Sequence, residues 1–336
     1  MTIISLVCTV KNEQETIAAL LDSMLAQTLL PNEIVVNDCE SSDGTSAIVA
    51  QYIARGHPIR LVAGGHNIPS GRNNAIRHAN GSIIACTDAG LTLDPHWLEE
   101  IVAPIVCDSA DVVGGFFRPA PQSLFELALG ATNYREATEI DPATFLPFGK
   151  SVAFRKSAWA QVGGYPEWAN YCEDLLFDLQ LKQAGARFAF AARALVYFRP
   201  RESFTAFARQ YYNYATGDGA ADLWQKRHII RYGTYLIGAI LTLVALRKPA
   251  IAIAPVIGMI AYCAAPLRRL RQRAPGLTSS ELLYAIACIP AIRVVGDLAK
   301  MVGYPVGIMR RLRSRALQEE VSAYKHPATD ERARPD

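Results

Sequence analysis

The sequence predicts an α/β protein: a mostly parallel sheet flanked by helices, followed by C-terminal membrane helices. Three observations carry this. Short β-branched apolar runs alternate with amphipathic helical patterns through residue 225. The pattern then changes to long uncharged runs, and clusters of Lys and Arg flank those runs. With 336 residues there is chain enough for two ordinary domains, or one large domain and an appendage. A hydrophobic share of 51% and a charged share of 19% exclude a disordered or collagen-like chain.

The elements follow in order. "TIISLVCTV" reads as a first strand, and "ETIAALLDSMLAQT" as a helix with Ile17, Leu20, Leu21, Met24 and Leu25 at helical spacing. "EIVVN" is a second strand. "SDGTSAIVAQYIARG" is a helix with Ser42 as N-cap and Gly56 as its stop. "IRLVA" is a third strand, "SGRNNAIRHANG" a helix ending at Gly81, and "SIIACT" a fourth strand. Strand–helix alternation predicts parallel pairing with helices on both faces. Ligands of such sheets lie beyond the carboxyl ends of the strands. That places Thr9–Glu13, Asp38 and Asp88 in view.

Residues 226–315 hold 15 Lys and Arg and two acids, Glu281 and Asp297, which leaves 19 basic and 29 acidic residues elsewhere. "YGTYLIGAILTLVAL" and "PAIAIAPVIGMIAYCAAPL" predict a helical hairpin near 232–267. The first run covers about 22 Å against a hydrocarbon core of about 30 Å, so it must extend towards Arg231 or thin the bilayer. A buried hairpin in a soluble domain is the competing reading. "KRHIIR" and "RRLRQR" flank the pair, and positive-inside logic puts both, with the preceding body, in the cytoplasm at the inner (plasma) membrane. Residues 282–309 contain Arg293, Asp297, Lys300, Pro290 and Pro305, which predicts broken, re-entrant or interfacial helices. The domains expected are therefore 1–225, a membrane-associated region 226–315, and a frayed polar tail 316–336. No signal peptide is expected, since no charged segment precedes an apolar one at the N-terminus. Seven scattered cysteines without a C-x-x-C pair fit a reducing compartment and no zinc site.

Several residues could carry chemistry, each with an ordinary alternative. Asp38 ends a strand and could accept from a nucleobase or ribose, or simply build a turn. Arg72 near a helix N-terminus suits a diphosphate, or is a solvated cation. Asp88 follows an apolar strand abruptly. Asp94-Pro95 reads as a helix start. Glu173-Asp174 opens a helix, where the dipole favours acids and where a general base could also sit. "ARQYYNYATGDG" sets Arg209, Gln210 and three tyrosines on a helix, as an interface or as an acceptor wall. G-x-G-x-x-G and G-x-x-x-x-G-K-[ST] are both absent, which argues against dinucleotide enzymes and P-loop NTPases.

Taken in order, "SLVCTVKNEQETI", "IVVNDCESSDGT", "GRNNAIRHANGSIIACTDAG", "DPHWL", "FRKSAWAQVGGYPE" and "EDLLFDLQLKQAG" resemble the family 2 glycosyltransferases over about residues 3–217, in the flavour of succinoglycan-type membrane-bound exopolysaccharide transferases. The resemblance implies a GT-A fold, a nucleotide-sugar donor, a lipid-linked or polysaccharide acceptor, and inversion at the anomeric carbon. It implies that Thr9 and Lys11 cup the nucleobase, that Asp38 reads it, and that Arg72 lies near the diphosphate. Asp88 would be the first acid of D-x-D, near ribose and metal. Asp174 would be the catalytic base with Glu173 beside it, and Gln210 would open the Q-x-x-R-W element.

Three departures stand out. D-x-D reads Asp88-Ala89-Gly90, so Mg2+ or Mn2+ would lean on Asp88, the diphosphate and water. Asp38-Cys39 keeps one acid of a pair. Gln210-Tyr211-Tyr212-Asn213-Tyr214 loses the Arg and the Trp, which favours addition of one sugar over processive synthesis. A catalytically degenerate nucleotide-sugar-binding scaffold of a membrane complex is the alternative. A nucleotidyltransferase is disfavoured because "TVKNEQE" has no glycine after the first strand.

Overall fold

A computed structural model describes residues 2–325. By internal contacts the chain divides into two compact units: Met1–Glu202 with Pro266–Ile289, and Ser203–Ala265 with the chain from Pro290 onward.

The first unit is built on an eight-stranded sheet. Its strands are β1 (Ile4–Val10), β2 (Glu33–Asp38), β3 (Ile59–Ala63), β4 (Ile83–Asp88), β5 (Leu91–Leu93), β6 (Val112–Pro119), β7 (Ser151–Arg155) and β8 (Phe188–Phe198). They lie in the order β3-β2-β1-β4-β7-β6-β8-β5. The first four pair in parallel, with Thr9 opposite Asp88 on one side and Val10 opposite Asp38 on the other. β7 runs antiparallel between β4 and β6, β6 and β8 pair in parallel, and β5 is antiparallel to β8. Asp38 and Asp88 thus end strands two places apart, about 10 Å at the usual strand spacing.

Its helices are α1 (Ile17–Leu25), α2 (Thr45–Ala54), α3 (Ile68–His78), α4 (Trp97–Val106), α5 (Leu124–Asn133), α6 (Lys156–Gln161) and α7 (Glu173–Gln183). Alternation along the strands divides the core into two layers. Leu6, Cys8, Val10, Ile34 and Val36 pack under α1, α2 and α4, around the fully buried Trp97. Val7, Val35, Ile84, Cys86 and Phe154 pack under α3, α6 and α7. The start of α2 is displaced from the expected cap: Gly44 holds the cap position, and Asp43 rather than Ser42 accepts from the Thr45 N–H, at 3.0 Å. Asn67 and Ser70 form a reciprocal capping box at α3.

The second unit contains α8 (Phe204–Ala220) and α9 (Gln225–Ala245). Next along the chain come α10 (Ile253–Arg273), α11 (Ser279–Arg313) and α12 (Arg315–Lys325). Three stretches, Gln225–Ala245, Pro249–Arg273 and Ser279–Arg313, are long and apolar enough to cross a membrane. Extended to 21 residues, α9 reaches about 31 Å. It leaves Leu236, Ile237, Ile240 and Leu243 exposed, an apolar surface that water does not favour.

Two expectations differ here. Residues 282–309 are not a broken pair but part of one 35-residue helix running through Pro290 and Pro305. Pro305 cannot donate to the carbonyl of Met301, and the Tyr232 hydroxyl donates to that carbonyl instead, at 2.7 Å. Gly303 and Gly307 also bring α11 against the backbone of α8, where a Cβ would meet the carbonyl oxygens of Tyr212 and Thr216. Residues 316–325, expected within a frayed tail, are helical as part of α12, with Val321 and Tyr324 buried. The remainder of that tail lies outside the described residues.

Candidate active site

The carboxyl edge of the sheet carries Thr9, Asp38 and Asp88, and α3 and α7 add Arg72, Glu173 and Asp174. Arg72 is the centre of the cluster. It is 2% exposed; its Nη2 reaches Asp88 Oδ1 at 2.7 Å and its Nη1 reaches Glu173 Oε1 at 3.5 Å. Its guanidinium also lies 4.8 Å from the centre of the Tyr165 ring. The capping box of α3 fixes the helix start, and so which face carries Arg72 inwards. Asn73, next in line, ties α3 to the carbonyl of Tyr165 at 2.8 Å and to Glu167 at 2.9 Å.

Gly149 makes this arrangement possible. A Cβ there would meet Arg72 Nη2 at 2.8 Å and Nη1 at 2.9 Å. Its N–H donates to Asp174 Oδ2 at 3.3 Å, while Asp174 Oδ1 accepts from the Leu175 N–H at 2.8 Å. The chain enters α7 through Cys172 in the left-handed region, φ 64°. That turn sets Glu173 and Asp174 in the first helical turn.

The electrostatics separate the neighbouring acids. Burial and the adjacent Asp174 raise Glu173 to about 7, against the opposing pull of Arg72. Asp178, one turn further along α7, is fully buried, and its carboxyl is pushed well above the ordinary range by burial and then by Asp174. Among the described residues its Oδ2 has no hydrogen-bond partner.

Among the described residues, Asp38, Thr9 and Lys11 make no hydrogen bond or ion pair with Arg72, Glu173 or Asp174, although Thr9 lies opposite Asp88 across the β1–β4 pair. Asp38 is buried, and its carboxylate accepts from the Ser41 N–H at 2.8 Å and from the Ser46 hydroxyl, so it builds its own loop. Thr9 Oγ1 is buried without a partner. Lys11 is exposed in the loop after β1. Gln210 lies on α8 in the second unit, where its side-chain amide donates to the Tyr214 hydroxyl at 2.8 Å.

One residue escaped the sequence reading. Lys150 immediately precedes β7, and its ammonium lies 3.9 Å from the centre of the Phe117 ring, 4.5 Å from Phe198, and 5.7 Å from both Tyr134 and Phe148. Burial lowers it to about 8, while Asp88 and Asp174 act to keep it charged. The only signal in the sequence was a lysine beside a glycine at a strand start.

The divalent cation expected at Asp88 finds a poor donor set. One oxygen of Asp88 is taken by Arg72, and Gly90, at φ +74°, has no side chain to offer. Among the described residues no group of three or more His, Cys, Asp or Glu is placed to hold a metal ion. A hard divalent cation needs about six oxygen ligands, so these residues do not fit a protein-held metal.

Against known families, residues 5–162 match the model of glycosyl transferase family 2, and residues 84–291, more than half of the chain, match that of glycosyl transferase family group 2. The chain belongs to the family 2 glycosyltransferases. Among curated relatives of this family, the O-antigen chain rhamnosyltransferase WbaN of Salmonella anatum is 25% identical over 198 residues. That match spans 54% of this chain and 62% of WbaN. The mannosyltransferase PcManGT of Pyrobaculum calidifontis, solved with GDP-Man and Mn2+, shares the fold with a TM-score of 0.54 at 19% identity, over 93% of this chain and 87% of that one. S. aureus TarS 1–349 with UDP is similar at a TM-score of 0.46 and 18% identity, over 93% and 91%. The mixed, mostly parallel sheet flanked by helices is thus the GT-A fold of the family 2 enzymes.

Proposed function

We propose that the protein is a membrane-anchored, inverting glycosyltransferase that moves one sugar from a nucleotide-sugar donor to a membrane-borne acceptor, polyprenyl-linked or polysaccharide, in cell-envelope or exopolysaccharide synthesis. The observation that carries this reading is Arg72, buried between Asp88 and Glu173, with Asp174 next along α7 at the carboxyl edge of the sheet. Membership of the family supports sugar transfer as the activity. The polysaccharide acceptor rests on likeness to WbaN, which is named for rhamnosyl transfer to an O-antigen chain. The three apolar helices support the membrane anchor, and the basic clusters beside them support a cytoplasmic catalytic region, residues 1–225, at the inner membrane.

In this reading Asp174 takes the proton of an acceptor hydroxyl as that oxygen attacks the anomeric carbon. The new C–O bond forms as the bond to the diphosphate breaks, and the electron pair leaves with the nucleoside diphosphate. Arg72 meets the charge that develops on that leaving group. Glu173, raised to about 7, keeps the negative charge around Arg72 low. Asp38, Thr9 and Lys11 are assigned to the base and ribose, and Gln210 to the acceptor. With the donor set found at Asp88, no step is routed through a metal.

Asp174→Asn tests the assignment. Loss of a general base costs about 10²- to 10⁴-fold in turnover, while donor binding and thermal stability stay near wild type. Full transfer by this variant overturns the role of Asp174. A wild-type protein that binds nucleotide sugar and transfers to no acceptor favours the scaffold reading.

A further inference from the structure

We propose that Lys150 is a ligand of the donor diphosphate and supplies, with Arg72, the positive charge that a D-x-D-bound metal would otherwise provide. This rests on the sugar-transfer reading above and names how that site holds its donor.

The first support is the state of the ammonium. It has three N–H donors and no acceptor. Among the described residues Lys150 Nζ makes no hydrogen bond and no ion pair, and its near neighbours are the faces of Phe117, Phe198, Tyr134 and Phe148. Lys150 is half-buried, so the donors of its ammonium remain open to an incoming acceptor. Aromatic faces attract the cation and hold it in place, yet they leave its donors unused. An anionic oxygen entering from the cleft would satisfy them.

The second support is position. In the antiparallel β4–β7 pair Thr87 lies opposite Ser151, so Lys150 follows in register opposite Asp88. The Thr87 hydroxyl donates to the Lys150 carbonyl at 3.0 Å, which pins the backbone there. Lys150 is also adjacent to Gly149, against which the Arg72 guanidinium packs. The charged groups that act on Lys150 are Asp88 on β4, Asp174 on α7 and Arg201 beyond β8. Two cations therefore flank the one D-x-D carboxylate that remains.

The third support is the missing acid. Asp88 shares its charge with Arg72, and position 90 contributes none. Arg72 and Lys150 carry two fixed positive charges into a place where the residues offer a divalent ion little purchase.

Binding of UDP, GDP and dTDP to the full-length protein in detergent, measured by calorimetry in EDTA and again in Mn2+, tests this. At least one of these probes should bind in EDTA within about tenfold of its affinity in Mn2+. Lys150→Met, which keeps the aromatic box filled, should weaken binding in EDTA at least tenfold with an unchanged melting temperature. Lys150→Arg should restore most of it. Binding that requires Mn2+, or a Lys150→Met protein that binds like wild type in EDTA, overturns the role of Lys150 and leaves sugar transfer standing. Failure of all three probes in both conditions overturns the sugar-transfer reading and this inference with it.

Discussion

Two of the arginine–carboxylate clusters in the first unit are built to opposite specifications. At the carboxyl edge of the sheet, Arg72 shares two acids, one of them held near 7, beside a lysine that has no acceptor. At the end of α10, Arg269 and Arg273 are clamped by acids and backbone carbonyls. Arg269 Nε binds Glu139 at 2.7 Å, and its Nη1 donates to the carbonyls of Ala131 and Thr132 at 3.3 and 3.4 Å. Arg273 binds Glu136 at 2.6 Å and donates to the carbonyls of Gly130 and Tyr134 at 2.7 and 2.9 Å. The last carbonyls of α5 have no partner within their own helix, and cations are favoured at that end. The second cluster spends its arginines on carboxylates and helix-end carbonyls, so its chemistry is architectural. The first retains unmet charge and donors, which is what a ligand site requires.

That contrast can be broken from either side, and the largest effect is expected on the clamped side. Arg269→Met leaves Glu139 with Arg268 and the Glu136 N–H but takes the arginine donor from the carbonyls of Ala131 and Thr132. Each buried carbonyl left without its donor costs about 1–3 kcal/mol, read as a lower midpoint in denaturant unfolding in detergent. Affinity for nucleoside diphosphate measured below the transition should hold. A loss of affinity without a loss of stability would move this cluster into the functional class.

On the other side, Gly149→Ala should act on turnover. The added Cβ would meet both terminal nitrogens of Arg72, which must shift, and with it the Asp88 and Glu173 pairing. A misplacement of about 1 Å in a catalytic group costs on the order of 10²-fold. The expected result is a fall in kcat of that size with a melting temperature near wild type. Wild-type kcat would mean that the guanidinium position does not matter.

Much of this was written in the sequence, and the missing parts share one cause. The parallel strands of β1 to β4 and their helices are legible because periodicity is local, and so are Asp88 and the Glu173-Asp174 start of α7. Asp38 was legible as a strand-end acid, but its engagement by Ser41 and Ser46 depends on the fold of the loop. Lys150 was not legible. Its place opposite Asp88 comes from an antiparallel pairing across 63 positions, as in the Thr87–Lys150 hydrogen bond. The continuity of α11 was hidden in the same way, since the hydroxyl that satisfies the Met301 carbonyl comes from Tyr232, 69 positions away. The RRLRQR motif read as a membrane flank, yet three of its arginines are spent on α5 and the turn after it, through acids 129 to 137 positions away.

The smallest effect concerns pH and separates the clusters by sign. Burial works to raise Glu139, but hydrogen bonds from Arg269 and Arg268 outweigh it and bring the carboxyl down to about 2. An unfolded glutamate titrates near 4.3. A depressed folded value stabilises the fold fully above that unfolded value, and the contribution fades as pH falls towards 2. Wild type should therefore exceed Glu139→Gln by about 1–3 kcal/mol at pH 6, with the gap closing by pH 2.5. Glu173 is raised, so its sign is reversed: its contribution is fullest below about 4.3 and is lost as pH climbs through about 7. Glu173→Gln should therefore gain on wild type in melting temperature between pH 4 and pH 8, whereas Glu139→Gln gains on it only in acid. Parallel pH profiles for the two variants would remove the distinction between a structural clamp and a poised site.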